Sequence, residues 1–281
     1  MILKELLNCG KEYLKKNNID DYAIIAKILV EYIFDIKKEQ IVLEYDKELN
    51  NIDVDRYKKL LEKISKGMPI QYITNKQEFM NLAFYVDENV LIPQPDTEVL
   101  VEEIINLYSD KECKILDLCT GSGAIAISLA KYIEKSQIVA TDISLKALQI
   151  AKLNAERNLV HRKIEFIESD MFDKVKYNDF DIIVSNPPYI KTDIIKTLDN
   201  QVQQEPHIAL DGGEDGLDFY RIIINNSYDY TKNHGRLFLE IGFDQKEDVI
   251  NLLKENGNYI NIYSKRDFAQ NDRIIVSEVR R

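Results

Sequence analysis

From Cys113 to the C-terminus, short apolar runs alternate with amphipathic stretches, and this alternation allows few folds. The runs have the length and composition of buried strands, and the stretches between them repeat their apolar residues at helical spacing. Strands that alternate with helices form a parallel sheet with helices on both faces. The last two runs are too close for a crossover helix and should pair antiparallel. The pattern predicts a doubly wound α/β sheet of seven strands.

The predicted elements of this sheet follow in regular order. The strands are 113–117, 137–142, 163–167, 180–185, 236–241, 259–264 and 273–279, and the helices are about 123–134, 144–157, 217–229 and 244–255. Open α/β sheets bind their ligands at the carboxyl ends of the parallel strands. Polar residues that follow these strands are therefore the first candidates for a site.

The N-terminal part of the chain has a different pattern. Its apolar residues recur at helical spacing, and it has neither a glycine-rich loop nor paired catalytic carboxylates. We predict a small helical domain over 1–77 that recognises the substrate, and a catalytic domain over 94–281. Between them, 78–93 is predicted to be a β-hairpin linker, with 82–86 and 90–92 as its strands.

The predicted strand 180–185 runs directly into Asn186-Pro187-Pro188-Tyr189. Proline restricts the residue before it to extended conformations, so the Asn186 side-chain oxygen and the Pro187 carbonyl can point the same way. Two converging acceptors suit a planar –NH2 group with two donors, and Tyr189 can cover its flat face. We predict that these four residues bind the substrate, that Asn186, Pro187 and Tyr189 are catalytic, and that Asn186 also contacts the cofactor. The simpler interpretation is a strand followed by a Pro-Pro turn.

A second candidate site follows the strand 113–117. The loop Cys119-Thr120-Gly121-Ser122-Gly123 precedes a predicted helix, and its glycines allow a tight turn and a close approach to a ligand. Ala126 replaces the third glycine of a dinucleotide fingerprint, which favours a smaller nucleoside cofactor without a pyrophosphate. Asp142, at the end of the next strand, is placed to accept from ribose hydroxyls.

Two further residues end the third predicted strand at the same edge. Asp170 can accept from an adenine amino group, and Met171 can pack on the ring. The alternative for both is a polar loop with a buried methionine. We interpret Glu205 and Glu240 as structural acids near the pocket, without a catalytic role.

Charge and cysteine content limit the partners of this chain. Residues 1–75 carry 13 basic and 13 acidic residues, so the net charge of −11 lies on the remainder, which lacks the basic footprint of a duplex binder. The three cysteines form no CxxC pair, and no histidine cluster accompanies them, so we expect reduced thiols and no metal site. No apolar run is long enough to span a bilayer. These features favour a cytoplasmic protein, which we expect to be a monomer that contacts no membrane and no nucleic acid.

With these residues in hand, the chain resembles the class I S-adenosylmethionine-dependent methyltransferases, and most closely the HemK/PrmC family of release factor glutamine N5-methyltransferases. The resemblance covers nearly the whole chain. The segments that carry it are 67–72 (GMPIQY), 91–98 (LIPQPDTE), 117–123 (DLCTGSG), 186–189 (NPPY), 205–206 (EP), 209–218 (ALDGGEDGLD), 235–242 (GRLFLEIG) and 272–273 (DR). A departure is Gln94, where the family often has arginine.

This resemblance implies a Rossmann-like methyltransferase sheet, S-adenosylmethionine as cofactor, and methyl transfer to the glutamine of a Gly-Gly-Gln motif in class 1 peptide chain release factors. The Asn-Pro-Pro-Tyr motif also occurs in enzymes that methylate adenine or cytosine amino groups. Three alternatives therefore stay open: a glutamine methyltransferase of a ribosomal protein, a nucleic-acid amino-methyltransferase, and a non-catalytic binding module. The second of these predicts a basic groove, which the net charge opposes.

Overall fold

A computed structural model describes all residues, 1–281, and they form two compact units. The first unit contains 1–75 together with 199–204, and the second contains 76–198 and 205–281. Nothing in the sequence pattern indicated that 199–204 pack with the N-terminal helices. They do so at Gly67, where a Cβ atom would lie 2.8 Å from the Asn200 Cβ and 3.0 Å from its carbonyl oxygen.

The first unit is a helical bundle around its own apolar core. Its helices are α1 (Leu3–Lys16), α2 (Tyr22–Phe34), α3 (Asn51–Ser65) and α4 (Ile70–Thr74). The core is built mainly from leucine and isoleucine of the first three helices. Asn50 caps α3 by accepting from the Asp53 N–H at 2.8 Å, which satisfies one of the free donors of its first turn.

One tyrosine holds the first three helices of this bundle together. Tyr57 of α3 is fully buried, and its hydroxyl donates to the Ala26 carbonyl of α2 at 3.2 Å. Its ring lies against Gly10 of α1, where a Cβ atom would overlap the hydroxyl oxygen and lie 2.8 Å from two ring carbons. Glycine at position 10 is therefore required by the close approach of α1 and α3, although it is unfavourable within a helix.

The second unit contains the seven-stranded sheet predicted from the sequence. Its strands are β3 (Cys113–Leu118), β4 (Ser136–Asp142), β5 (Ile164–Glu168), β6 (Phe180–Ser185), β7 (Thr231–Glu240), β8 (Tyr259–Arg266) and β9 (Asp272–Val279), after the β1 and β2 of a separate hairpin. The order across the sheet is β5-β4-β3-β6-β7-β9-β8. The first five are parallel and the last two, β8 and β9, pair antiparallel, as predicted. β9 also pairs antiparallel with β7.

Helices cover both faces of this sheet, which confirms the doubly wound fold. They are α5 (Glu98–Tyr108), α6 (Ala124–Tyr132), α7 (Leu145–Arg157), α8 (Asp218–Tyr230) and α9 (Lys246–Asn256). Short 3₁₀ turns lie at 38–40, 95–97, 161–163, 195–197, 202–204 and 207–209. One core combines the inner sides of β3, β6, β7 and β9 with α8 and α9.

The strand order reverses between β3 and β6. The chain runs outward from β3 to β4 and β5, then returns to place β6 on the other side of β3. The two strands pair in parallel up to Leu118 and Ser185, and the Ser185 hydroxyl donates to the Leu118 carbonyl at 2.9 Å. The segments that begin at Cys119 and Asn186 therefore leave the sheet side by side, at the point where such sheets bind ligands.

The hairpin differs from its prediction. Its strands are β1 (Gln77–Phe79) and β2 (Leu82–Phe84), joined at Met80 and Asn81, which both have positive φ. The prediction that 90–92 form a strand is wrong, because these residues lie in a loop. The apolar alternation there arises because Val90 and Ile92 are both buried at alternate positions of this loop.

A fully buried asparagine fastens the hairpin to the sheet unit. The Asn154 side chain of α7 accepts from the Tyr85 N–H at 2.7 Å and donates to the Tyr85 carbonyl at 3.0 Å. Its amide also donates to the Ser122 carbonyl at 2.9 Å. One side chain thus satisfies three backbone groups, in the segment after the hairpin and in the glycine loop after β3.

We expect Gly10→Ala to destabilise the protein by about 1–3 kcal/mol, because the added methyl group overlaps a tyrosine that has no room to move. This cost exceeds the roughly 1 kcal/mol that alanine gains over glycine in a helix. Urea unfolding followed by circular dichroism measures the change. The matched control is Cys9→Ala on the exposed side of the same helix, which should be nearly neutral. Equal stability of the two variants would contradict the tight packing.

Candidate active site

A cavity of about 320 Å³ lies at the carboxyl edge of the sheet, at the reversal of strand order. Its walls are mainly apolar. The residues that line it are Asn89, Val90, Leu91, Cys119, Gly121, Thr141, Asp142, Ile143, Ser144, Ala147, Ser169, Asp170, Met171, Asn186, Pro188, Pro206, Ile208, Ala209, Phe219 and Ile222. An apolar pocket with a few polar groups at this place is typical of a small-molecule site.

The loop after β3 turns through left-handed backbone conformations. Cys119, Gly121 and Gly123 have φ of 59°, 55° and 83°. A Cβ atom at Gly121 would meet nothing within 4 Å, so a ligand can approach the backbone of this residue closely. At Gly123, a Cβ atom would lie 2.8 Å from the Ile127 side chain and 3.1 Å from that of Ala151, so close packing of α6 and α7 also requires glycine.

Asp142 holds this loop from the end of β4. One carboxylate oxygen accepts from the Gly121 N–H and the other from the Ser144 N–H, each at 2.8 Å. Each oxygen keeps a second lone pair for a ligand donor. Burial raises the pKa of Asp142, and the backbone N–H groups of Ser144 and Gly121 oppose this effect.

A second buried acid, Asp117, shapes the loop from inside. Its Oδ2 accepts from the Thr120 hydroxyl at 2.6 Å and from the Ala126 N–H at 3.2 Å, whereas its buried Oδ1 has no hydrogen-bond partner. Burial raises its pKa to about 7. Thr120 therefore faces this acid and does not line the cavity.

Asn186 enters the cavity from the end of β6. Its side-chain Nδ2 donates to the Thr97 hydroxyl at 3.3 Å, on the side away from the cavity. Pro187 and Pro188 are buried, and Pro188 also lines the cavity. The side-chain oxygen of Asn186 is thus free to act as an acceptor toward a ligand.

The backbone after Asn186 is held on both sides. Ile190 donates to the Leu210 carbonyl at 2.9 Å and accepts from the Gly212 N–H at 2.8 Å. From the other side, buried Gln245 donates to the carbonyls of Tyr189, at 3.0 Å, and Gly216, at 3.1 Å. The backbone of the motif is therefore held by hydrogen bonds from two directions.

A partly buried charged cluster lies behind the motif. Arg273 of β9 pairs with Asp267 at 3.0 Å and with Asp96 at 3.1 Å. It also lies near Glu240, whose carboxyl group is buried at the end of β7, and near the Tyr189 phenol. Burial raises the pKa of Glu240 to about 7 and raises that of Tyr189.

Another buried acid closes the loops over the cavity. The Oε2 of Glu205 accepts from the Ile92 N–H at 2.9 Å, and burial raises its pKa to about 7. This bond joins the segment with Asn89 and Leu91 to the segment that begins at Pro206, and both segments line the cavity. Glu205 therefore has the structural role predicted for it.

The structure brings most of the predicted site residues to one cavity. Those that line it are Cys119, Gly121, Asp142, Asp170, Met171, Asn186 and Pro188. The other predicted residues do not line it: they are Thr120, Ser122, Gly123, Pro187 and Tyr189. The Tyr189 ring is thus not placed to cover a group bound in the cavity, since its phenol lies beside Arg273.

Sequence reasoning missed the lining residues beside Asp142 and those of three further segments. Thr141, Ile143 and Ser144 flank Asp142 and could have been found from that adjacency. The segments that contain Asn89–Leu91, Pro206–Ala209 and Phe219–Ile222 were not assigned to the site, because only the fold brings them over the strand ends. The structure has no cluster of three or more His, Cys, Asp or Glu that could hold a metal, and none of its helices has the length and apolar character of a membrane span.

Two family models match this chain. The model of the methyltransferase small domain matches 94–251, and that of the PrmC N-terminal domain matches 5–74. The first model covers the glycine loop after β3 and the Asn186 motif, and the second covers the helical bundle.

Curated relatives match along the whole chain. A release factor glutamine methyltransferase of Clostridium acetobutylicum is 41% identical over 99% of this chain and 98% of its own length. That of Clostridium botulinum is 37% identical over 98% of each. A bifunctional methyltransferase of Rickettsia felis is 36% identical, and the match covers 57% of its length.

Solved structures support the fold. The ribosomal protein L11 methylase of Lactobacillus delbrueckii superposes with a TM-score of 0.51 at 20% identity, over 70% of this chain and 84% of its own. A methyltransferase of Pyrococcus furiosus superposes with a TM-score of 0.53 at 18% identity, over 80% and 98%. With the family models and the full-length relatives, these similarities show that the chain belongs to the family of release factor glutamine methyltransferases.

Proposed function

We propose that this protein transfers the methyl group of S-adenosylmethionine to the side-chain amide nitrogen of the glutamine in the Gly-Gly-Gln motif of class 1 release factors. The observation that carries the proposal is the position of Asn186 in the cavity beside Gly121 and Asp142. Relatives that match nearly the whole chain are named release factor glutamine methyltransferases.

The cavity fits the proposed cofactor. Asp142 keeps free lone pairs that suit ribose hydroxyls, and Gly121 presents open backbone beside it. Met171 and Ile143 supply apolar surface for an adenine ring, and Asp170 offers an acceptor for its amino group. When bound, S-adenosylmethionine supplies an electrophilic methyl group on a positively charged sulfur.

Asn186 and Pro187 supply the acceptors for the substrate. An amide nitrogen is a weak nucleophile because its lone pair is delocalised into its carbonyl group. The Asn186 side-chain oxygen and the Pro187 carbonyl would accept its two N–H groups and fix its direction, which lowers the entropic cost of reaction. As the nitrogen gains positive charge, both acceptors stabilise it. The proton becomes acidic after methylation, so no strong base is needed before it.

The alternatives have less support. The similarity to the L11 methylase shows the fold alone, at 20% identity, so it does not favour a ribosomal substrate. A nucleic-acid substrate is opposed by the net charge of −11. We therefore propose a protein substrate, and a monomeric enzyme that works in the cytoplasm, in keeping with its three free cysteines.

We further propose that the helical unit recognises the release factor. This unit has large apolar side chains on its surface, among them Leu43 at 84% exposure and Ile52 at 81%. We propose that these side chains contact the release factor. The unit has a net charge of zero over 1–75, so it adds no repulsion toward an acidic partner.

Mass spectrometry of a release factor incubated with the enzyme and S-adenosylmethionine tests the main proposal. We expect one added methyl group on the Gly-Gly-Gln glutamine. Asn186→Ala should lower the rate at least about 100-fold, because an acceptor that acts in the transition state is lost. Cofactor affinity should change little, since Gly121 and Asp142 remain. An Asn186→Ala rate within a few-fold of wild type would contradict the role of this residue.

Asp142→Asn should weaken cofactor binding about tenfold or more, or by roughly 1.4 kcal/mol. The new –NH2 group would face the N–H of Gly121 or of Ser144, so the loop loses a bond and the ribose loses an acceptor. Isothermal titration calorimetry measures the affinity. Asp173→Asn, at an exposed position outside the cavity, is the matched control and should bind as wild type does. If both variants bind normally, the ribose is held elsewhere.

The combined change Leu43→Ser and Ile52→Ser should raise KM for a whole release factor several-fold and leave that for a short Gly-Gly-Gln peptide unchanged. Both residues are too exposed for the change to disturb the bundle core. Leu159→Ser, at 81% exposure in the other unit, is the control. Equal effects on protein and peptide would argue against recognition by this surface.

A further inference from the structure

Glu240 is a buried carboxyl group that the proposed reaction does not yet use. It ends β7, next to the end of β6, and its side chain is 2% exposed. The side chains of Thr97 and Asn186 lie close enough to Glu240 to lower its pKa by hydrogen bonding, and its buried Oε2 has no hydrogen-bond partner. Thr97 in turn accepts from the Asn186 Nδ2 at 3.3 Å. The three side chains thus form one connected group behind the motif.

The charges around Glu240 do not cancel it. Arg273 is the cation that faces it, from β9, but this guanidinium already pairs with Asp267 and Asp96. The other groups near the carboxyl are the phenols of Tyr189 and Tyr220, and the Tyr220 hydroxyl donates to the Glu240 carbonyl at 2.9 Å. Three acids thus lie around one arginine, so Glu240 has no cation of its own.

An ionised carboxylate decides which way the Asn186 amide faces. A carboxylate only accepts hydrogen bonds, so it attracts the –NH2 end of an amide and repels the carbonyl end. With the nitrogen held toward Glu240 and Thr97, the oxygen must face the cavity. A protonated Glu240 can donate, and then the amide oxygen can also turn toward it, which would present –NH2 to a substrate that itself carries –NH2.

We propose that Glu240 is a positioning residue for methyl transfer, which in its ionised form holds the Asn186 side-chain oxygen toward the substrate amide. The inference rests on the proposed function, because it deepens the role given there to Asn186. The same charge polarises the asparagine amide through its N–H groups and strengthens its oxygen as an acceptor.

Ionisation of Glu240 then gives the reaction a pH dependence. Burial raises the pKa of Glu240 to about 7, against hydrogen bonds from Thr97 and Asn186 and the charge of Arg273, which lower it. The ionised fraction grows as pH rises through this value. We expect kcat to rise over the same interval, from pH 6 to pH 8, and then to level off.

The test is Glu240→Gln, which keeps size and shape but removes the charge. A neutral amide can donate or accept, so it no longer selects one orientation of Asn186. We expect kcat on a release factor to fall at least about tenfold at pH 8.5 and to lose its rise near pH 7. Cofactor affinity should stay within twofold of wild type. A rise near pH 7 that persists in the variant would overturn the inference and point to Asp117, whose pKa is also about 7.

Glu103→Gln is the matched control. Glu103 is nearly as buried as Glu240, at 6% exposure. It pairs with Lys265 and Tyr263 and is not hydrogen-bonded to the motif. This variant should lower stability and keep the wild-type kcat and pH profile. A similar loss of kcat in both variants would mean that any buried charge matters, and would overturn a specific role for Glu240.

A second measurement needs no substrate. In protein with ¹⁵N-labelled asparagine side chains, the Asn186 –NH2 signal is identified by its loss in Asn186→Ala. We expect this signal to shift with a midpoint near pH 7 in wild type and not in Glu240→Gln. If wild type does not methylate a release factor, the proposed function is wrong, and this titration still decides whether Glu240 controls Asn186. A signal that does not titrate in wild type would overturn the inference.

Discussion

The parallel pairing of β3 with β6 is the constraint on which the site depends. The two strands end in register at Leu118 and Ser185, so the loop of Gly121 and the motif of Asn186 begin at neighbouring positions. The order of strands then leaves a gap between the two outgoing segments, because β4 and β5 lie on one side and β7 on the other. The cavity occupies this gap, and its polar groups come from the strand ends around it.

Buried acids organise this edge of the sheet. Asp117 holds the first turn of the loop, Glu205 holds a covering segment, and Glu240 lies behind the motif. Each is buried, and burial raises the pKa of each to about 7. Such groups are costly to bury unless they are hydrogen-bonded, so they restrict the backbone around them. As a consequence, the charge at this edge of the sheet changes near neutral pH, where these carboxyl groups titrate.

Much of this arrangement could be predicted from the sequence, because it depends on local patterns. Apolar runs and helical spacing located the seven strands and their direction, and the motif at Asn186 and the acid at Asp142 follow two of those strands directly. The hairpin strand β1 was missed and a strand was predicted at 90–92 instead, since Val90 and Ile92 are buried by tertiary contacts that imitate strand alternation. The proximity of Glu240 to Asn186 was also not predictable, because only the neighbouring positions of β6 and β7 bring the two residues together.

The side chain of Asn154 has a consequence for how this unit opens. It is the shared partner of the Tyr85 backbone and the Ser122 carbonyl, and it has no exposure to water. Releasing either segment alone would leave buried polar atoms of the other without a partner. The hairpin end and the cofactor loop therefore belong to one cooperative unit of local unfolding, and a fluctuation large enough to free one of them has to melt both.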